Sequence, residues 1–550
     1  MQDLPQWDGD PLADRLRRMY GDVGLSRIRA AFPDGGLDSG RRPTRRAPET
    51  AVIVSCYPDH LGDGAAGATA AETLRQVGQL LSPVRRDVVV HLLPPYLADD
   101  GDRFSLIDDS VVDPALGDWA DLGAARPWLA LDLIVNQLSV NSPWFREFTE
   151  GRGPDLFFTP EESFDFRRVA SSRGRGLIRH ATRAGRRVRV WSSHGGQQVD
   201  VDYRSSEVLL WAFERLSRLS RGARHLRLDG IAFGWKESGT SCVNLPQART
   251  LSDVLSAWWR VLCPDGYVVA EVDAFEGDLA YVRSDSGDGP DLVYDYELPR
   301  CVAVALVLAD VHPLAAEVER MAARTPVHWC NIVVTHDGLS LRPWVPTSHR
   351  HSLERLVSEL ERSGLPVQRA IVGGSELPYE VDVLPADLDP PARGALGVPD
   401  PRCADLATSL LMTLPGVPMV YLPALLGLRS TPVPEGADPR GRVRARIPLD
   451  ALAGPELPLR MLSLRSTVPA LRASSPARVL TADGGLLVFS RGHEVEVVVV
   501  HNFSAHWRTV HLERPGHDLL GGVPVEAGPL EVAPRTALWV SLEPGGSAQG

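Results

Sequence analysis

The stretch HLRLDGIAF, residues 225–233, decides how the rest of the chain is read. It opens as a short apolar strand run and closes on charge. Residues two apart in an extended strand share a face, so Arg227 and Asp229 point the same way. A guanidinium beside a carboxylate favours the ionised form.

Working outward, seven further runs of the same kind recur: AVIVSC (51–56), DVVVHLL (87–93), WLALDLIVN (128–136), GYVVAEVD (266–273), LVYDY (292–296), CNIVVTHD (330–337) and VPMVYL (417–422). With 225–233 they make eight strands, the number a closed parallel barrel needs. Amphipathic segments such as AAETLRQVGQLL, EVLLWAFERLSRL, LSDVLSAWWRVL and SLERLVSELERSG stand between them, which is the βα alternation. The expected fold is therefore α/β, a (β/α)8 TIM barrel.

The spacing is uneven. The long Arg/Gly-rich gap after the third run predicts an inserted loop domain over 139–200, so the barrel takes 49–138 and 201–474. Between the seventh and eighth runs, PADLDPPARGALGVPDP reads as a long loop. The first 48 residues form a helical extension, DPLADRLRRMYG then LSRIRAAF, ending near Phe32. From 475 to 550 short alternating strands predict a C-terminal antiparallel β domain of sandwich type. No internal repeat is present.

The chain has 550 residues, 44% hydrophobic and 23% charged, with a net charge of −12. No broad positive field exists to gather polyanions, so nucleic acid is excluded as an expected partner. Six scattered cysteines lack metal or disulfide spacing and point to the cytoplasm; no metal or cofactor is expected. The polar N-terminus is no secretory signal. Pro415, Pro418 and Pro423 break the apolar stretch Leu410–Leu428, so helix, turn and strand are expected there and no membrane span. Lys236 is the only lysine; all other basic residues except histidine are Arg.

Reactive side chains of a parallel barrel lie at the C-terminal strand ends. Three runs close on carboxylates there: Asp229, Glu271 with Asp273, and His336 with Asp337. One acidic strand end is usually the cap of the next helix. Three together point to paired-carboxylate chemistry, one ionised nucleophile and one protonated acid, as glycosyl transfer requires.

The motifs DLIVNQLS (132–139), LRLDGIAF (226–233), AEVD (270–273) and VTHD (334–337) resemble, in order and spacing, the four characteristic regions of the α-amylase superfamily. QQVDVDYRSSEVLL (197–210), GWKESGTSC (234–242), LPYEVDV (377–383), LPGVPMVY (414–421) and GRVRAR (441–446) are similar to its sucrose phosphorylase subfamily. They fit best the branch acting on glucosylglycerate, glucosylglycerol and sucrose 6-phosphate. The resemblance runs from about Ile53 to Arg446.

It implies Asp229 as nucleophile, Glu271 as general acid/base with a raised pKa, and Asp337 as the carboxylate gripping sugar hydroxyls. Arg227 orients the nucleophile. His336, Asn136 and Arg446 are implied at the glucosyl unit, with Gln198 and Tyr379 near the mouth. Asp99, Asp100 and Asp102 compete for another hydroxyl, Asp100 being favoured. Two positions depart from the family pattern: Gln137 replaces a His, and Asp109 stands where an aromatic or His wall is expected.

The implied reaction is phosphorolysis of a small α-glucoside by inorganic phosphate, with retention and through a glucosyl-enzyme. Arg446, Arg444, Arg167 and Arg168 are the candidate phosphate cations. The alternatives are an α-glucosidase or transglucosylase of the same superfamily, or a catalytically silent sugar binder. A monomer or homodimer is expected. Lys236, seven residues past Asp229, is expected to pair with Glu237 or to serve the outer subsite.

Overall fold

The computed structural model describes residues 10–543 apart from 33–48, 63–67, 85–87, 100–102, 172–176, 273–280, 282–286, 324–328, 343–348, 366, 373–374, 389–401 and 494–495. All eight apolar runs contribute barrel strands: β1 (Val52–Cys56), β2 (Val88–Leu92), β3 (Leu129–Ile134), β4 (His225–Asp229), β5 (Val268–Ala270), β6 (Leu292–Asp295), β7 (Trp329–Asn331) and β8 (Val417–Tyr421). Every strand pairs in parallel with its neighbours in sequence, and β8 closes on β1 through Ile53 opposite Met419.

Alternation divides each strand between two cores. Val52, Val54, Leu226 and Leu228 point outward to the helices, while Ile53, Val89, Ala130, Val269 and Tyr294 fill the barrel. On β4 the inward set is Arg227 and Asp229. Burying a guanidinium in a barrel requires partners, and the register supplies one, since Arg227 lies opposite Asp132 of β3.

Helix α1 (Pro11–Ala31) starts on the Asp10 carboxylate, which caps Leu12 and Ala13, and breaks at Gly21, where φ is +68°. Leu12, Leu16, Leu25 and Ile28 bury its inner face. It packs on α3 (Ser206–Gly222) and α4 (Pro246–Leu262), pinned by Arg15 on Asp253 at 2.6 Å. Phe32 meets Trp258 edge-on at 4.4 Å.

Beyond β3 the chain leaves the barrel on a strand, Gln137–Ser139, and returns on Gln198–Asp200, its antiparallel partner. The Arg-rich segment between them forms a hairpin of Ile178–Arg183 with Arg186–Trp191. After β7 a second excursion carries a helix and a three-stranded sheet of Leu339–Ser340, Ser375–Val381 and Val367–Val372. Sequence reasoning missed this sheet, because its two longer strands carry exposed polar residues in place of a continuous apolar run. The long loop read over PADLDPPARGALGVPDP lies largely outside the described residues.

The stretch from Leu410 to Leu428 is the end of helix α5 (Arg402–Thr413), a turn, β8 and a short helix at Leu422–Leu425. Among the described residues no helix is long and apolar enough to cross a membrane. At the C-terminus a six-stranded antiparallel sheet faces a two-stranded one. Val488, Val500, Val510 and Val532 pack between them, while Phe489, Val499 and Trp539 on the other face join the main core.

Candidate active site

The barrel mouth holds a pocket of about 590 Å3, open to solvent, into which Asp229, Glu271 and Asp337 all project. Asp229 ends β4. Gly230 follows with φ at +64°, and a Cβ there would stand 3.3 Å from the Asn136 Cβ, so only glycine turns the chain here without strain. The turn aims its N–H at Glu271 Oε2, 3.2 Å away. Gly338 does the same service after Asp337, for a Cβ would lie 2.4 Å from the Val381 carbonyl oxygen.

Beneath the pocket Arg227 binds three carboxylates. Nη1 donates to Asp132 Oδ1 at 2.6 Å and to Asp229 Oδ1 at 2.8 Å, and Nη2 lies 3.2 Å from Glu271 Oε2. Asp132 also meets His91 Nε2 at 3.0 Å. Burial opposes its ionisation, but His91 and Arg227 outweigh that and hold it at about 2.

The shifts of Asp229 and Glu271 run opposite to the raised Glu271 expected from the sequence. Burial pushes Asp229 well above the usual carboxylate range, despite Arg227. Burial also raises Glu271, but Arg227, Arg342 and the Tyr296 hydroxyl, which donates to Oε1 at 2.7 Å, overcome it and hold the carboxyl below its ordinary value. Arg227, Arg342, the Tyr296 hydroxyl and the Gly230 N–H all favour the ionised Glu271, and of these Arg227 also binds Asp229.

Asp337 is held by two arginines. Its Oδ1 accepts from Arg444 at 2.8 Å and Arg440 at 3.3 Å, while Oδ2 lies 3.3 Å from His336 Nε2. Burial lowers His336 to about 3, so the imidazole is neutral. Phe104 stacks on it at 4.7 Å and 9°.

Gln137, Gln198, His336 and Tyr379 line this same pocket. Gln137 Oε1 is buried without a hydrogen-bond partner among the described residues. Asn136 is not among the lining residues: its Oδ1 accepts from the buried Lys236 Nζ at 2.6 Å. Arg446 lines an adjacent pocket with Tyr57, Asp59 and Arg103, so it too stands apart from the three carboxylates. Asp100 and Asp102 lie outside the described residues. Asp99 accepts from Asn141 Nδ2 at 2.8 Å and from Ser139.

Asp109 does not face the pocket. It is buried against Arg215 of α3, with Arg218 at 3.8 Å, and Phe104 is among the aromatic residues that line the pocket. Arg167 is 88% exposed and paired with Asp165, and Arg168 is exposed, so neither reaches the pocket. Lys236 pairs with neither Glu237 nor a subsite: its three N–H bonds go to Asp200, Asn136 and the Phe233 carbonyl.

Phe104, Asp132, Tyr296, Arg342, Glu380 and Arg440 were not singled out from the sequence. Asp132 and Tyr296 share the inward parity of their strands, which is the signal that could have found them. Among the described residues no group of three His, Cys, Asp or Glu is placed to hold a metal.

A glucosylglycerate phosphorylase of Spirochaeta thermophila is 30% identical over 423 residues, covering 73% of this chain and 68% of that protein. The chain belongs to the sucrose phosphorylase subfamily of the α-amylase superfamily. The glucosylglycerate phosphorylase of Escherichia coli K12 is also 30% identical, over 360 residues, and the match spans 62% of each chain. Among solved structures, sucrose 6F-phosphate phosphorylase from Thermoanaerobacter thermosaccharolyticum superposes with a TM-score of 0.70 at 20% identity, covering 87% of this chain and 98% of that one. That likeness concerns the fold. No family model matches the chain.

Proposed function

We propose that this member of the sucrose phosphorylase subfamily is a retaining glucoside phosphorylase. It cleaves a small α-glucoside with inorganic phosphate and releases α-glucose 1-phosphate. The observation that carries the reading is that one guanidinium, Arg227, holds Asp229 on one nitrogen and Glu271 on the other, in a single pocket with Asp337.

Asp229 attacks the anomeric carbon as the glycosidic bond breaks, and the leaving oxygen takes the bond's electron pair and the proton of Glu271. Phosphate then yields a proton to Glu271, and its oxygen displaces the Asp229 carboxylate. Two inversions give net retention. The first displacement needs Glu271 protonated and Asp229 ionised, and the one Arg227 guanidinium that both carboxyls meet couples the two charges. Asp337 and neutral His336 take sugar hydroxyls, with Gln137 and Gln198 beside them and Phe104 as the wall.

The substrates in view are glucosylglycerate, glucosylglycerol, sucrose and sucrose 6-phosphate, the classes printed for curated relatives at 24–30% identity. Six cysteines, all free and buried, fit a reducing cytoplasm. A catalytically silent sugar binder is the second reading, favoured by the two arginines on Asp337 Oδ1, with which a sugar hydroxyl has to compete.

The test is incubation with each of the four glucosides, with and without phosphate, measuring glucose 1-phosphate and free glucose. Phosphate-dependent glucose 1-phosphate is expected, and Asp229→Asn is expected to lower it by about 10^3-fold or more. Free glucose irrespective of phosphate makes the protein a glucosidase. Binding without product makes it a silent member.

A further inference from the structure

On the Glu271 side of the pocket one arginine is built in with unusual care. The Arg342 guanidinium lies 4.4 Å from the ring centre of Tyr296 and 4.4 Å from that of Tyr379. Its Nε donates to Ser340 Oγ at 3.1 Å, and Nη2 lies 3.4 Å from Glu380 Oε1. Arg342 is 6% exposed, yet lines the pocket with Glu271.

Two tyrosine rings thus lie within cation–π distance of one guanidinium. Its N–H donors lie in one plane and fit a planar anion bidentately. The stack also fixes the side chain, so little rotamer freedom is lost when an anion binds. The Tyr296 that stacks on Arg342 is the one whose hydroxyl bonds Glu271, which places the cation beside the group that protonates the leaving oxygen.

We propose that Arg342, clamped between Tyr296 and Tyr379, is the seat of a carboxylate on the acceptor half of the substrate. The inference rests on the phosphorylase reading above and names its substrate class: a glucoside whose leaving group is a small hydroxy acid. Glu380 decides the charge. A carboxylate 3.4 Å from the guanidinium offsets part of its field, so one further negative charge is accommodated and a phosphate-ester dianion is repelled.

The experiment begins with equilibrium binding of glycerate and glycerol to the wild-type chain and to Arg342→Gln, with no turnover needed. Glycerate is expected to bind the wild type and to weaken by about 10- to 100-fold in the variant, with glycerol unchanged. Arg342→Lys, which keeps the charge but not the fork, falls between. Steady-state kinetics then separate the two anions: KM for glucosylglycerate rises in Arg342→Gln while KM for phosphate stays within about threefold. Glu380→Gln is expected to admit sucrose 6-phosphate better than the wild type does.

Several results overturn the assignment. They are wild-type indifference to glycerate, equal losses for glycerate and glycerol, or a rise confined to the phosphate KM. If glycerate binds as described but no glucoside yields glucose 1-phosphate, the seat stands and the phosphorylase reading fails.

Discussion

Lys236 offers the sharpest perturbation, because its surroundings explain why a lysine survives in a chain that otherwise uses arginine. An ammonium has three N–H donors, and three acceptors meet them: Asp200 Oδ2 at 2.6 Å, Asn136 Oδ1 at 2.6 Å and the Phe233 carbonyl at 2.7 Å. The side chain is 1% exposed and Asp200 wholly buried. Burial raises Asp200, but Lys236, His194 and Ser193 outweigh it and leave its pKa below the ordinary value. Removing the ammonium from such a pair leaves an uncompensated buried carboxylate, worth about 3–5 kcal/mol. Lys236→Met is therefore expected to lower Tm by about 3–10 °C at pH 7, given the shallow dependence of Tm on stability in large units. Asp200 pairs with Gln137 across the antiparallel strands that root the insertion, so KM should rise with the loss of stability. The difference from wild type should shrink as pH falls toward about 4, because the buried Asp200, without its ammonium, is raised and takes up a proton in the variant. Lys236→Arg, too long and planar for a tetrahedral nest, should cost about 1–3 kcal/mol. Unchanged melting in both variants across pH 4–8 would refute the nest.

Three further outcomes follow from the same structure. Burial holds His60 at about 4 and His225, His336 and His501 at about 3; their folded values are depressed, so the neutral forms stabilise the fold above about pH 6.5 and that stability is lost as pH falls below it. Chemical denaturation at pH 7 and pH 5 should show the drop, and His501→Phe should reduce its steepness by up to one proton. Tyr296→Phe removes one of the groups holding Glu271 down; its pKa should rise and the alkaline limb of kcat/KM for the glucoside should move to higher pH, whereas an unmoved limb with altered KM would leave Tyr296 a purely structural neighbour. Arg491 is fully buried and donates to the carbonyls of Thr413, Arg472, Ser475 and Pro476; Arg491→Met should cost about 2–4 kcal/mol and expose the C-terminal sheet to limited proteolysis before the barrel.

What could be read in the sequence and what could not divide along a physical line. The eight strands were legible because a parallel barrel buries both faces of each strand, and the resulting apolar runs are visible without knowing their neighbours. The three carboxylates were legible because they close those runs. Asn136, Asp109 and Lys236 were misplaced for one common reason: each faces a partner about a hundred residues away, Asn136 and Lys236 each other and Asp109 Arg215, and no local period encodes which way a polar side chain turns. The polarity of Asp229 and Glu271 is of the same kind. It depends on Arg342, which the second excursion brings up after β7, and on Tyr296, at the end of β6. Residues fixed by pattern thus supply the three carboxylates of the proposed reaction, while residues fixed only by tertiary contact bias their charge. Substrate choice within this subfamily is therefore expected to reside in the second class, and substitutions there should change KM and pH profile before they change the fold.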